Sequence, residues 1–284
     1  MAESLEKFKS YIGKSQTAID VVTASVMLKF AATLGLEKVP LDKGEPVPPG
    51  WHGGFFPPSH RPAQMREDGQ ASGGGFMPAI PLPRRRIGGT RMTFHEPLRV
   101  GDEIKKVTEI ADIQIDDGPG GAMVTIIEKN SISSGRGLAV VEERDMVFLS
   151  ESRAEAAPKA SATVPAEAKW KQVFEPKAAL LFRFSAIRFN SHRIHYDRDY
   201  ATKVEKLPGL VVQTSLMCQL LIEMCRSEVP NRLLTHFGFQ TVRQTYDAGN
   251  FTIAGTPSAD GREATLWTLD PNGNVAMTAT AKFK

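Results

Sequence analysis

The chain has 284 residues, of which 41% are hydrophobic and 24% are charged, and its formal net charge is only +3 at pH 7. This composition is typical of a soluble globular protein, and so small a charge gives no general argument for nucleic-acid binding. No apolar run approaches the roughly 18 residues of a membrane span, and the N-terminus lacks a secretory signal pattern. We therefore expect a cytoplasmic protein with neither a nucleic-acid nor a membrane partner.

The two cysteines, Cys218 and Cys225, lie in an apolar segment that reads as a helix. A separation of seven positions places them about 10 Å apart along a helix. That distance is too long for a disulfide bond. Reduced, buried thiols are therefore expected, as in a reducing cytosol.

The first part of the chain begins with helices. Apolar spacing predicts a short helix over residues 4–11 and a second helix over Ala24–Leu34, with Thr23 as its N-cap and Gly35 at its end. Residues 37–87 are rich in proline and glycine and predict a long irregular segment. A loop of that length inside a compact chain usually has a function.

The remainder of the first half has the pattern of antiparallel strands separated by turn sequences. The predicted strands are residues 90–94, 103–114, 122–131 and 138–149. Residues 151–169 are poor in large apolar groups and predict a linker. We therefore expect a first domain at 1–150, a linker at 151–169 and a second domain at 170–284.

The second half repeats this order of elements. We expect a strand over residues 178–184, a polar loop, and a buried helix over 214–227. Further strands are expected at 233–246, 251–257, 263–269 and 275–283, with a hairpin turn at 270–274. A buried helix followed by long strands predicts a sheet that curls around the helix. Two such units in one chain predict an α+β double hotdog fold.

The polar loop runs Phe189-Asn190-Ser191-His192-Arg193-Ile194-His195-Tyr196-Asp197. It contains two imidazoles, an amide and an acid, the densest group of side chains able to move or position a proton near neutral pH. The same histidine pair could in principle hold a metal ion, but no third ligand lies at a suitable spacing. We therefore expect a catalytic loop without a metal. Asp197 is expected to cap the helical turn that follows it.

A run of three arginines, Arg84-Arg85-Arg86, follows a stiff Pro-Leu-Pro segment. Arginine binds phosphates and carboxylates through two parallel hydrogen bonds, so the run could form an anion site. It could equally be the solvated basic edge of a strand. The sequence leaves both interpretations open.

These stretches resemble the MaoC-like, R-specific hydratase and dehydratase branch of the hotdog superfamily. The closest resemblance is to its two-domain group, which includes type 2 3-hydroxyacyl-thioester dehydratases and the hydratases of mesaconyl-C4-CoA and itaconyl-CoA. Besides the polar loop, the residues that carry the resemblance are Arg183-Phe184-Ser185-Ala186, Leu207-Pro208-Gly209-Leu210-Val211-Val212, Pro81-Leu82-Pro83-Arg84-Arg85 and Pro97-Leu98-Arg99-Val100-Gly101-Asp102.

The resemblance assigns candidate roles to residues of the second half. The histidine of the family signature Asp-x-Asn-Pro-x-His falls on His195, the catalytic aspartate on Asn190, and the asparagine on His192. An amide can position water but cannot accept a proton, so His195 is expected to carry more of the proton transfer, with help from His192 or Asp197. The backbone N–H of Thr214 is the expected oxyanion donor, at a position where relatives often have glycine. Val212 and Gln213, which precede it, are expected to line the substrate pocket.

The resemblance also implies an acyl-CoA substrate, with coenzyme A as part of that substrate and no separate cofactor. A free carboxylate on the acyl group would need a cation, and Arg84, Arg85, Arg193 and His52 are the candidates. A long fatty-acyl chain would instead need an apolar tunnel beneath the loop that contains Trp51. One active site per chain is expected, with a non-catalytic first domain that contributes to the substrate pocket.

The leading hypothesis is thus a hydratase of a branched five-carbon dicarboxylyl-CoA, converting itaconyl-CoA or mesaconyl-C4-CoA to citramalyl-CoA. The alternatives are a 3-hydroxyacyl-thioester dehydratase of fatty-acid type, a hotdog thioesterase and a non-catalytic acyl-CoA binder. Oligomeric state stays open: hotdog sheets often pair into a homodimer or a higher homo-oligomer, yet a double-hotdog chain can be its own dimer.

Overall fold

The fold is that of a computed structural model, which describes residues 5–118, 120–152, 164 and 167–284. It contains one ten-stranded sheet, and each half of the chain contributes five of its strands. In chain order the strands and helices are β1 Ser15–Val21, α1 Ala24–Leu34, β2 Arg84–Phe94, β3 Glu103–Gly118, β4 Gly121–Ser134, β5 Gly137–Leu149, β6 Trp170–Phe174, α2 Ala178–Ile187, α3 Thr214–Glu228, β7 Leu234–Thr241, β8 Phe251–Pro257, β9 Glu263–Leu269 and β10 Val275–Phe283.

The two halves of the sheet have the same topology. The strand order is β1-β3-β4-β5-β2-β7-β10-β9-β8-β6, so in each half the first strand lies at the outer edge and the second lies at the centre. The central strands β2 and β7 pair antiparallel, from Gly89 opposite Gln240 to Thr93 opposite His236. Every strand pair is antiparallel, and the two halves join edge to edge as a double hotdog. The α+β class predicted from the sequence is confirmed.

The second half of the sheet encloses α3. Nine residues of this helix are buried, on every side of its axis. Leu216, Leu221 and Ile222 are completely inaccessible to solvent. Burying each of these side chains stabilises the fold by about 2 kcal/mol. The helix ends at Glu228, two residues before Pro230, which cannot continue a helical hydrogen-bond ladder.

The first half has no counterpart to α3 among its described residues. Between α1 and β2 the only helical pieces are short 3-10 turns, Trp51–Gly54 and Pro62–Gln64. One end of the concave face is covered instead by the N-terminal 3-10 turn and by residues 76–82. The apolar side chains that meet there include Leu5, Phe8, Ile80, Leu82, Ile110, Ile113, Val124, Ile126, Met146 and Phe148.

An aromatic cluster connects the two halves of the chain next to α3. Phe30 of α1 stacks on Trp51 at 5.1 Å and meets Phe184 of α2 edge to face at 6.4 Å. The indole N–H of Trp51 donates a 2.7 Å hydrogen bond to Glu223 of α3. Trp51 is completely buried and belongs to the core, and its predicted contact with substrate stays a prediction.

The prediction of a strand over residues 178–184 is wrong, because this segment belongs to α2. Its buried residues are Leu181, Phe184 and Ser185, which have the three- and four-residue spacing of one helix face. Pro176 lies just before the helix start, and the alanine and leucine residues that follow favour a helix. A short apolar run does not distinguish a buried strand from a helix by periodicity alone.

Other predicted boundaries differ less from the structure. The helix over 24–34 is confirmed, with Gly35 in the left-handed conformation, although Thr23 makes no side-chain capping bond. The predicted helix over 4–11 is a 3-10 turn at Lys7–Tyr11, and its residue 4 lies outside the described residues. β2 begins six residues before the predicted position 90, and β7 ends at Thr241 instead of 246. Most of the predicted linker, 153–163 and 165–166, also lies outside the described residues, so the domain boundaries remain a prediction.

Candidate functional site

The polar loop begins where α2 ends in a tight backbone turn. Phe189 adopts a left-handed conformation with φ of 49°, which is uncommon for a bulky residue. The N–H of Asn190 then donates to the carbonyl of Ser185 at 2.8 Å. The Asn190 side-chain oxygen accepts the N–H of His192 at 3.1 Å, forming an Asx turn. The amide nitrogen of Asn190 stays available for another partner, since it makes no hydrogen bond within the described part of the chain.

The far side of the loop is held by an arginine–carboxylate pair. Arg193 donates two hydrogen bonds to Asp197, of 3.1 and 2.9 Å, and its guanidinium lies 4.0 Å from the ring centre of Tyr200. Asp197 also accepts the backbone N–H of Tyr200 at 3.0 Å, which confirms the predicted cap. Arg193 therefore braces the loop, and its guanidinium is already occupied by a carboxylate.

His195 lies at the centre of the loop and is only 8% exposed. Its Nδ1 lies 2.8 Å from the carbonyl oxygen of Val211. Because a carbonyl can only accept a hydrogen bond, Nδ1 carries the proton and Nε2 keeps its lone pair. Burial lowers the pKa of His195 to about 4, although the hydrogen bond to Val211 opposes that shift. The imidazole is thus a neutral base with a fixed tautomer at pH 7.

His192 meets His195 edge to face, with ring centres 5.4 Å apart. Burial, followed by the proximity of His195, Arg85 and Arg66, lowers the pKa of His192 to about 3. The side-chain nitrogen of Gln70 lies 3.0 Å from both ring nitrogens and donates to the ring. His192 is therefore neutral as well, and an amide from the first half of the chain orients it.

A turn formed by residues 66–70 docks onto this loop from the first half. Ser191 donates from its hydroxyl to the carbonyl of Gly69 at 2.6 Å, and the N–H of Arg193 donates to the carbonyl of Asp68 at 2.9 Å. A Cβ atom at Gly69 would lie 1.9 Å from the carbonyl oxygen of Ser191. Both halves of the chain therefore build the site, and Gly69 is required by this close approach.

The start of α3 completes the site. Val211, whose carbonyl holds His195, donates its own N–H to Ile194 at 2.9 Å, which fixes the helix start beside the loop. Within the described residues, the N–H groups of Thr214 and Ser215 have no acceptor. Such groups at a helix N-terminus are suited to bind developing negative charge. Gln213 donates to Leu181 and Ser185, and its side-chain oxygen is a buried acceptor that has no donor in the described structure.

The predicted cations have different surroundings. Arg85 lies close to His192, with its guanidinium 5.5 Å from the ring centre of Phe148 and one nitrogen 3.8 Å from the sulfur of Met146. Burial lowers the pKa of Arg85, and no carboxylate among the described residues forms an ion pair with it. Arg84, in contrast, pairs with Glu151 at 2.6 Å and with Glu205.

The arginine run lies at the start of a strand that is central in the sheet. It starts β2 and pairs there with β5 alone, because β7 joins β2 only from Gly89 onward, so both the anion-site and the strand-edge interpretations stay open. His52 is buried on the concave face, with Nε2 3.8 Å from a carboxylate oxygen of Glu142. Val212 is also buried, and its N–H donates to the carbonyl of Thr245 at 2.9 Å.

Sequence reasoning missed Gln70 and Arg188, and no local signal in the sequence identifies either of them. Gln70 lies 122 positions before His192, and only the pairing of the two halves brings them together. Arg188 was hidden by the incorrect strand prediction, since the direction of its side chain depends on the helical end of α2.

In the part of the chain that the structure describes, no three His, Cys, Asp or Glu residues are grouped to hold a metal ion. No described helix has both the length and the apolar character to cross a membrane. Cys218 and Cys225 are buried, and burial raises the pKa of both thiols.

Replacing Gly69 should separate the turn from the catalytic loop. Gly69→Ala places a methyl group against the Ser191 carbonyl, so we expect at least a tenfold loss of activity and a destabilisation of roughly 2 kcal/mol. Gly74→Ala is the matched control, because Gly74 has a similar φ of +91° but has nothing within 4 Å of a Cβ atom. Equal effects of both substitutions on activity and denaturant midpoint would contradict the proposed close docking.

The two buried histidines should make the fold sensitive to acid. In the unfolded chain their pKa is about 6.5, so between that pH and about 4 the unfolded state binds more protons. The stabilisation is complete above pH 6.5 and is lost as the pH falls through this range, by up to about 2 kcal/mol per histidine at pH 5. His195→Gln should flatten the dependence of unfolding free energy on pH between 7 and 5, whereas His60→Gln, at an exposed site, should leave it unchanged. An unchanged slope in the His195 variant would refute its burial in neutral form.

Comparison with protein families and relatives agrees with this architecture. The model for hydroxyacyl-thioester dehydratase type 2 matches residues 50–247. Mesaconyl-C(4)-CoA hydratase of Chloroflexus aurantiacus is 33% identical over 274 residues, which cover 96% of this chain and 97% of the relative. The mitochondrial hydroxyacyl-thioester dehydratase type 2 of Schizosaccharomyces pombe is 35% identical over 106 residues, or 37% of this chain and 34% of the relative.

Solved structures share the fold at much lower identity. A MaoC-like dehydratase from Phytophthora capsici superposes with a TM-score of 0.71 at 9% identity, covering 97% of both chains. A Mycobacterium tuberculosis protein described as having a double hotdog fold gives a TM-score of 0.58 at 12% identity, covering 96% of both chains. The family match and the full-length relative together lead to one assignment: this chain belongs to the type 2 hydroxyacyl-thioester dehydratase family and is an enzyme of the hydratase and dehydratase type.

Proposed function

We propose that the protein adds water reversibly to a 2,3-enoyl-CoA, and that its substrate is a branched five-carbon dicarboxylyl-CoA such as mesaconyl-C4-CoA or itaconyl-CoA, giving citramalyl-CoA. The observation that carries the proposal is the buried, neutral His195, whose Nδ1–H is held by Val211 immediately before the open N-terminus of α3. The Chloroflexus relative, which aligns over almost the whole chain, supports the choice of acyl group.

His195 performs both proton transfers in this proposal. Its Nε2 removes a proton from water while the water oxygen bonds to the β-carbon, and the electrons of the C=C bond move toward the thioester oxygen. The N–H of Thr214 donates to that oxygen as negative charge develops there. The imidazolium then returns the proton to the α-carbon and becomes neutral again. The Val211 carbonyl holds the ring in position throughout.

Asn190 and His192 position the reactants. The Asn190 side-chain oxygen already accepts the N–H of His192, so its amide nitrogen is the group available to orient the water oxygen. An amide has no role as a base, which is consistent with a mechanism that uses one imidazole for both transfers. His192, held by Gln70, limits the space beside His195. No cofactor besides the CoA of the substrate is required.

The first half is proposed to be non-catalytic but to form part of the substrate pocket. Its turn at residues 66–70 supplies Gln70 and the backbone contacts to the catalytic loop. Arg85 adds a buried positive charge next to His192, available to an anionic part of the substrate.

A second candidate function is dehydration of a 3-hydroxyacyl thioester of fatty-acid type. The family match and the Schizosaccharomyces pombe relative favour it. The same residues would act in reverse, so the acyl chain alone distinguishes the two functions.

Substrate assays separate these possibilities. We expect the enoyl absorbance of mesaconyl-C4-CoA or itaconyl-CoA to decrease without release of free thiol, at a kcat/KM well above that for crotonyl-CoA. Preference for crotonyl-CoA and longer enoyl chains would favour the fatty-acid function instead. Thiol release would identify a thioesterase, and no reaction with any substrate would identify an acyl-CoA binder; either result would contradict hydration.

His195→Ala should lower kcat by roughly 10²- to 10⁴-fold, the usual contribution of general acid–base catalysis. His236→Ala is the control, because His236 is exposed on β7. Circular dichroism should show that both variants remain folded. A loss of less than tenfold in the His195 variant would eliminate its proposed role.

A further inference from the structure

We propose that Arg188 binds the free carboxylate of a dicarboxylyl-CoA substrate, within a partly buried group of charges on the concave face of the first half-sheet. This inference rests on the function proposed above, because it identifies how that enzyme would select its acyl group. Arg188 follows α2 and lies two positions before Asn190.

The charged group lies where the first half has no central helix. Lys106 of β3, Glu128 of β4, and Glu142 and Arg144 of β5 point to one face of the sheet, since Glu128 lies opposite Arg144 and Glu142 lies two positions away. Glu142 is among the most buried charged residues of the described chain. Burying charge is costly, and charges are normally buried only when they are paired or used by a ligand.

Arg144 and the two glutamates neutralise one another. Arg144 donates to Glu142 at 2.6 Å and lies 3.8 Å from Glu128. Arg144 and His52 lower the pKa of Glu142 despite the opposing effect of burial, and the two carboxylates raise the pKa of Arg144. Both carboxylates on this face, Glu128 and Glu142, are therefore already paired with Arg144.

Arg188 has no such partner. No described carboxylate forms an ion pair with its guanidinium, which lies against the backbone of Gly53, where a Cβ atom would come within 1.9 Å of one nitrogen. Its closest aromatic contact is the ring of Phe184, at 5.9 Å. Burial, followed by the positive charge of Arg144, lowers the pKa of Arg188 to about 10. The side chain keeps part of its surface accessible, so a ligand can reach it.

The charged group has a net charge of +1, which one bound anion would neutralise. Lys106, Arg144 and Arg188 contribute three positive charges, whereas Glu128 and Glu142 contribute two negative charges. Like charges in a poorly solvated site repel strongly. A single carboxylate on Arg188 would balance this excess and would give the planar guanidinium its natural partner.

The group also lies close to the reacting atoms. The charges of Glu142, Arg144 and Arg188 all act on the thiol of Cys218. Cys218 lies four residues after Thr214, one turn further along the same face of α3. In the proposed binding mode, a short acyl group whose thioester oxygen accepts from the Thr214 N–H extends along this face of α3, with its far carboxylate directed toward Arg188.

Arg85, the other unpaired arginine, is less suited to this role. Its guanidinium has the ring of Phe148 and the sulfur of Met146 as contacts, and two carboxylates, Glu128 and Asp68, raise its pKa, whereas among the described residues Glu142 is the only carboxylate with that effect on Arg188. Arg188 instead faces two other cations. Substituting Arg188 and substituting Arg85 should therefore affect the preference for a carboxylate-bearing acyl group differently.

The test is a binding measurement with two saturated thioesters that cannot be hydrated, succinyl-CoA and butyryl-CoA. Their acyl groups have equal length, and only succinyl-CoA has a terminal carboxylate. The wild-type protein should bind succinyl-CoA roughly 10²-fold more tightly than butyryl-CoA. Arg188→Ala should reduce this preference by roughly 10²-fold, whereas Arg183→Ala, an exposed arginine on α2, should leave it unchanged.

The outcomes separate this inference from the proposed reaction, because neither probe can react. Equal wild-type binding of the two thioesters would overturn the inference. An unchanged preference in Arg188→Ala, or loss of the preference in Arg85→Ala alone, would also overturn it. Arg188→Met should leave the thermal midpoint of the ligand-free protein unchanged or higher, since it removes an unpaired cation; a clearly lower midpoint would indicate a structural arginine instead. Failure of the hydration assay with the preference intact would refute the reaction and leave the carboxylate site standing.

Discussion

The hydrogen bond from His195 to the carbonyl of Val211 is the interaction on which the rest of the site depends. It joins the polar loop to the residue three positions before α3, so it fixes the base relative to the open N–H groups of the helix. It also determines which ring nitrogen is protonated. Burial keeps that ring neutral, and a neutral ring with a free Nε2 is the form able to take a proton from water.

The two halves of the chain contribute different elements to the site around this bond. Both have the same five-strand topology, but only the second half encloses a long helix. The first half supplies the turn that orients His192 and a concave face that carries charge. The internal repeat thus explains the architecture, and its asymmetry is consistent with the proposal of one site per chain with a separate place for the acyl group. The pairing of β2 with β7 joins the two halves in a fixed register, so elements of both halves can meet at one site.

Much of this could be predicted from the sequence, for identifiable physical reasons. β4 alternates between buried and half-buried residues over most of its length, and the helix at 214–228 is apolar on every side, so local periodicity is sufficient to predict both. The polar loop was evident from its residue types. The strand prediction at 178–184 failed because seven apolar-rich residues fit either period. Gln70 and Arg188 could not be predicted, because their roles arise from contacts between segments far apart in the chain.

The most direct test of the central claim is the tautomeric state of His195. Nitrogen NMR of the protein labelled with ¹⁵N-histidine, assigned by comparison with the His195→Gln variant, distinguishes protonated from unprotonated ring nitrogens. The account predicts a protonated Nδ1 and an unprotonated Nε2 at pH 7, with the same pattern retained at pH 5. A proton on Nε2 at pH 7, or an imidazolium that titrates near the ordinary histidine pKa, would contradict it.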